Sequence, residues 1–137
     1  MIIFLLVLTV VFWGLAPIFD KAALKNADPL TGAVIRGIVI GIFMVAAMFL
    51  SGKTREMFSL NTKSITFFAV SGLLAGCLGT FTFYKALQLG PTSKIVPLAA
   101  TYPLVTALLS IAFLGESLTL SRFAGIALII AGIWFVK

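Results

Sequence analysis

Histidine is absent from this sequence, cysteine occurs once, and only four residues are acidic. Without histidine there is no His-ligated metal and no histidine proton relay. The lone Cys77 cannot close an intrachain disulfide, and its place inside an apolar run reads as a small buried residue. Asp20, Asp28, Glu56 and Glu116 fall at the ends of apolar runs or between them. No H-E-x-x-H motif, Walker loop or nucleophile beside a base can be assembled, so no catalysis, metal or other cofactor is expected. Proton coupling through a buried acid is disfavoured too, because it needs an acid in the pathway. Charge is scarce altogether. Charged residues are 10% and apolar residues 61% of the 137, whereas a soluble domain is about a quarter charged. Such a chain cannot clothe a water-facing surface, and its composition is that of a membrane protein. Its length predicts one compact domain over residues 1–137.

What is abundant is apolar sequence. Five runs stand out, at 2–19, 30–50, 64–87, 93–114 and 118–136. Each is near the roughly 20 residues that cross about 30 Å of hydrocarbon. The short connections make sequential helices antiparallel neighbours. The expected fold is therefore an all-α membrane protein, a bundle of five transmembrane helices. The first run has no basic n-region and no small-x-small cleavage site before Asp20, so it is expected to be a retained span rather than a signal peptide. The net charge of +6 does not point to nucleic acid. Lys and Arg sit mostly between the runs, where they anchor segments in membrane lipids.

The organising stretch is residues 84–116. It carries Pro97 and Pro103 inside the fourth run, and each proline removes a backbone donor and crowds the carbonyl four residues back. Freed backbone groups in hydrocarbon need partners in the protein or a wet cavity. Residues 95–102 are therefore expected to be a bent helix beside a cavity. Tyr102, Thr106 and Ser110 recur at intervals of four and form one polar stripe there, either cavity wall or helix–helix hydrogen bonding. Upstream, Gly14 and Pro17 weaken the first helix, so Trp13 reads either as a gate on the cavity wall or as an interfacial anchor at a helix end. Asp28-Pro29 is a good start for the second helix. Arg36 lies about 9 Å into that helix, where a charge faces a cavity, a partner or a substrate unless it snorkels out. Gly37 and Gly41 allow another helix to approach. Gly72, Gly76 and Gly79 belong to a packing stripe in the third run, and Lys85 snorkels at its end. Glu116 and Ser117 read as a cap for the fifth helix.

These features together resemble the EamA family of the drug/metabolite transporter superfamily. The residues that carry the likeness are Tyr84, Ala86 and Leu87, then Ser93 in a polar turn, Tyr102-Pro103, and Leu114-Gly115-Glu116. Trp13-Gly14, Arg36, Gly125 and Gly132 match as well, so the likeness covers nearly the whole chain. It implies a transporter of small metabolites, amino acids or drugs in the plasma membrane. It also implies that full-length relatives hold two five-span halves, inverted relative to each other. Gly125 and Gly132 are similar to a seven-spaced glycine pair at the dimer contact of small multidrug resistance transporters, which makes the fifth helix the expected subunit interface. Packing within the chain is the other reading.

Charge counts bear on the same question. With five spans, Lys53, Arg55, Lys63 and Arg122 lie on one side, and Lys21, Lys25, Lys94 and Lys137 on the other. So small a bias is expected to permit both orientations. One half can rebuild the inverted pair as an antiparallel homodimer or with an inverted paralogue. The expected cavity takes Trp13, Arg36, Tyr84, Tyr102 and Thr106, with Gly14, Pro17, Pro97 and Pro103 as bending points. An unpaired Arg36 would favour an anionic or amino-acid-like substrate. Two alternatives are a flippase for lipids or lipid-linked sugars, and a non-transporting membrane subunit.

Overall fold

The computed structural model describes every residue except Leu118 and Lys137. The expected start of the fifth span and the C-terminal lysine of the charge count thus lie outside the described residues. Among the described residues the secondary structure is helical throughout. The chain divides into two units, Met1–Leu89 and Gly90–Lys137.

In the first unit, α1 (Ile2–Ala23) is one unbroken helix through Gly14 and Pro17. It runs past residue 19, where the hydropathy of the sequence stops, and so takes Asp20 into its last turn. A turn leads to α2 (Pro29–Leu50), whose start is set by Pro29 in the first turn and by the Asp28 carboxylate, which accepts from the Thr31 amide at 3.0 Å. The short α3 (Thr54–Phe58), unforeseen in the sequence, lies in the following connection. The third span covers Thr62–Leu89. It begins as α4 (Thr62–Ser71), capped by Asn61, whose side chain accepts from the Ser64 amide at 2.8 Å. It widens to a π-helical segment at Gly72–Gly79 and ends as α5 (Thr80–Leu89). The expected packing stripe of glycines assumed a 3.6-residue turn; the wider turn breaks that spacing. A Cβ at Gly72 or Gly76 would meet nothing within 4 Å, and Gly37 and Gly41 are equally open. Cys77 is exposed on the chain, not buried as its apolar neighbours suggested.

In the second unit, the fourth span is broken as its prolines demand. Helix α6 (Thr92–Ala99) and helix α7 (Tyr102–Leu114) are separated by Ala100 and Thr101. Local bonds close the gap. The Ala100 amide donates to the Val96 carbonyl at 2.9 Å, and the Thr101 hydroxyl donates to Leu98 at 2.8 Å. Gly115 ends α7 in the left-handed conformation, φ 66°. The cap of α8 (Leu120–Trp134) is Thr119, whose side chain accepts from the Arg122 amide, and not Glu116 or Ser117. Glu116 instead donates its amide to the Ser110 carbonyl and finishes α7. Among the described residues four helices are long and apolar enough to cross a membrane; α8 is apolar but has 15 residues, shorter than the expected fifth span.

Candidate functional site

The first unit brings three polar side chains together between apolar helices. Arg36 Nη1 donates to Asp20 Oδ2 at 3.0 Å and to the Tyr84 hydroxyl oxygen at 3.3 Å. The Tyr84 hydroxyl in turn donates to Asp20 Oδ1 at 2.6 Å. The cluster therefore closes on itself across α1, α2 and α5. Tyr84 is almost wholly buried, at 3% exposure. Its ring lies against Gly32, where an added Cβ would come within 3.3 Å of the ring edge. A residue with a side chain at that point of α2 would push the phenol off the ion pair. The guanidinium carbon also stands 6.0 Å from the Tyr84 ring centroid, within cation–π range.

The ends of these helices are tied just beyond the cluster. The Gln88 amide donates to the Leu24 and Ala27 carbonyls at 3.2 and 3.0 Å, and Lys21 Nζ donates to the Leu87 carbonyl. These donors meet carbonyls at the C-terminal ends of α1 and α5 and in the turn after α1, where backbone acceptors outnumber helical donors. Both ties lie on the C-terminal side of Tyr84 and hold this end of α5 to the end of α1 and the turn after it.

Arg36 and Tyr84 were both expected from the sequence, and the structure joins them. Asp20 was not. The sequence suggested a net positive site around Arg36, but the Asp20 carboxylate compensates that charge. The signal available in the sequence was an acid shortly before one short turn and an arginine about two helical turns after it. Trp13 is exposed on α1 and makes no hydrogen bond or ring contact with the cluster. Lys85 lies over the Phe81 ring, with Nζ 4.5 Å from the centroid, so its charge has an aromatic partner one turn away.

The other expected residues belong to the second unit. Tyr102 opens α7 and is exposed, and Thr106 turns its hydroxyl to the Tyr102 carbonyl of its own helix at 3.2 Å. Ser110 bonds the Ala107 carbonyl at 3.1 Å. A cleft of about 300 Å³ within this unit is lined by Pro103, Ala107, Ser110, Glu116, Arg122 and Gly125, among others. No Cβ added at Gly125 or Gly132 would meet an atom within 4 Å. Neither glycine, then, is used for close packing among the described residues.

The match to the EamA-like transporter family covers residues 1–137. An uncharacterised protein (MJ1333.1) of Methanocaldococcus jannaschii is 36% identical over 92% of this chain and 88% of its own length. An uncharacterised transporter in the cobO 3' region of Sinorhizobium sp. is 28% identical over 91% of the chain and 88% of its own length. The uncharacterised transporter YwfM of Bacillus subtilis is 29% identical over 88% of the chain, which covers 40% of that longer protein. No solved structure matches. With its apolar spans, its helical fold and a family match from the first residue to the last, the chain belongs to the EamA-like transporter family.

Proposed function

We propose that this membrane transporter moves small, amino-acid-like metabolites across the plasma membrane by alternating access. The observation that carries the reading is the Asp20–Arg36–Tyr84 cluster between apolar helices. Charges at such positions are costly, so they mark a substrate path. Among the described residues only Nη1 of Arg36 has hydrogen-bond partners, which leaves the Nε and Nη2 edge of the guanidinium for a ligand. That edge has the geometry of a carboxylate fork. A simple anion placed there would leave a negative charge uncompensated, because Arg36 is already matched by Asp20. A zwitterion adds no net charge: its carboxylate takes the open edge of Arg36 and its ammonium takes Asp20.

The transporting unit in this reading is an antiparallel homodimer, or a pair with an inverted paralogue. Near-balanced Lys and Arg counts support it. So does the Bacillus subtilis relative, which exceeds twice this chain's length. Uptake of radiolabelled amino acids into liposomes holding only the purified protein tests the function. Arg36→Gln is expected to lower uptake by at least about tenfold, as loss of a charge-assisted pair does. Unchanged uptake would remove Arg36 from the path.

The apolar cleft beside α7 favours a second reading, a lipid flippase, because it offers a groove for an acyl chain. Scrambling of labelled lipid by the same liposomes, without amino acid uptake, is its signature.

A further inference from the structure

Eight consecutive residues in the third span, Gly72–Gly79, have π-helical hydrogen bonding. A π-helix is rare, and where one interrupts an α-helix it often stands at a functional site. Two side-chain features hold the wide turn here. A Cβ at Gly79 would lie 3.0 Å from the Leu74 carbonyl oxygen, five residues back, so a side chain there would crowd the backbone of this turn. The Thr80 hydroxyl donates to the Ala75 carbonyl, also five residues back, at 3.2 Å. One turn on, the Thr82 hydroxyl donates to Leu78 at 2.9 Å and to Gly79 at 3.1 Å. Threonine hydroxyls thus cover carbonyls at the exit of the segment, and in hydrocarbon such groups cannot turn to water.

The segment sits immediately before α5, and α5 carries Tyr84. We propose that Gly79 and Thr80 are positioning residues for the transport site: they hold the π register that turns Tyr84 onto Asp20 and Arg36, and return of the segment to α register turns it away. Moving the register of a helix by one residue rotates everything beyond by about 100°. At the radius of a helical side chain this carries the Tyr84 ring by about 8 Å. Phe83 or Lys85 then takes its place, and neither offers a hydroxyl. Asp20 and Arg36 lose the phenol that bridges them, and the face at Gly32 opens. Both registers keep the backbone bonded within the helix, so the exchange needs no unfolding in the bilayer; what it must release is the ties of Leu87 to Lys21 and of Gln88 to the Leu24 and Ala27 carbonyls. The transport role of this motion rests on the cluster being the substrate site; the register exchange itself does not.

The test uses the full chain in lipid nanodiscs, labelled with 3-fluorotyrosine. The sequence has two tyrosines, so Tyr102→Phe leaves Tyr84 as the sole reporter. Two exchanging ¹⁹F resonances are expected, one for the bonded phenol and one for the turned state. Gly79→Ala crowds the π register and is expected to shift their ratio toward the turned state by at least about tenfold. Thr80→Val, which removes the Ala75 bond with little change of shape, is expected to shift it the same way, and covers the case in which Gly79→Ala does not fold. Gly76→Ala, in the same segment with nothing within 4 Å of the new Cβ, is expected to leave the ratio alone. A single resonance unmoved by Gly79→Ala and Thr80→Val overturns the proposal. So does an equal response to Gly76→Ala and Gly79→Ala. Because no substrate is present, a register exchange seen together with intact uptake by Arg36→Gln would sink the transport site and leave the hinge standing.

Discussion

Replacing Arg36 with glutamine strips Asp20 of its counter-charge, and replacing Asp20 with asparagine does the same to Arg36. The two losses are expected to be unequal. The Asp20 side chain is 15% exposed and the Arg36 side chain 38%. An ion orphaned in a buried pair costs about 3–5 kcal/mol. Asp20 sits near the lower end of that range, so Arg36→Gln is expected to cost about 3 kcal/mol. Arg36 keeps more than a third of its surface and a long stem that can reach the interface, so Asp20→Asn is expected to cost about 1–2 kcal/mol. The double variant loses hydrogen bonds but orphans no charge, at about 1 kcal/mol. It should therefore be more stable than Arg36→Gln, with a coupling energy of about 3–4 kcal/mol in the cycle. Thermal unfolding in detergent, followed by tryptophan fluorescence, reads this directly. At about 4 °C per kcal/mol for a chain of this size, Arg36→Gln should melt about 12 °C lower and the double variant about 4 °C lower. Losses that simply add, with the double variant the least stable of the three, would refute the pairing.

Tyr84→Phe removes both hydroxyl bonds while keeping the ring, and should cost about 1–2 kcal/mol in the same melt while lowering amino acid uptake. Gly32→Ala sets a methyl 3.3 Å from the Tyr84 ring and should destabilise by about 1–3 kcal/mol unless the ring moves, which the fluorotyrosine resonance would report. Pro103→Ala restores a donor toward the Ala99 carbonyl. It should close the break between α6 and α7, raising helical content by circular dichroism and slowing uptake. For orientation, a cysteine added after Lys137 in a Cys77→Ala background is expected to label with impermeant maleimide in about half the molecules of intact cells. Complete or absent labelling would rule out the dual-topology homodimer.

The apolar runs, the start of α2 and the break in the fourth span were legible because they rest on local rules, whereas the cap of α8 fell on Thr119 and not on Glu116 or Ser117. Hydropathy finds the apolar runs, Asp28-Pro29 begins α2 as capping chemistry requires, and two prolines break the fourth span at the expected residues. Features set by a neighbouring helix were not legible. Gly32 looks like any helical glycine until the Tyr84 ring is placed on it, while the more conspicuous Gly37 and Gly41 stay open. The π segment escaped because a glycine stripe at 3.6-residue spacing and a wide turn have the same composition. They are told apart by backbone geometry, seen in how near a Cβ at Gly79 would come to the Leu74 carbonyl and in the Thr80 bond to Ala75.

Asp20 shows why the site itself was half hidden. A hydropathy boundary stops at the first charge, so the acid seemed to lie outside the helix that in fact continues to Ala23. Arg36 raised two alternatives, a partner inside the membrane or a side chain reaching back to the interface. In the structure these are one geometry. Helical side chains lean toward the N-terminus of their helix. Arg36 stands about 10 Å into α2, and its long stem returns along that helix toward the turn. Asp20 stands about 4.5 Å from the end of α1 on the other side of the same turn. The returning guanidinium and the waiting carboxylate therefore meet at similar depth, 3.0 Å apart. In an antiparallel helix pair, then, an arginine entering after the turn is matched by an acid nearer the turn than itself. That offset is the pattern to seek when an intramembrane arginine seems to have no partner.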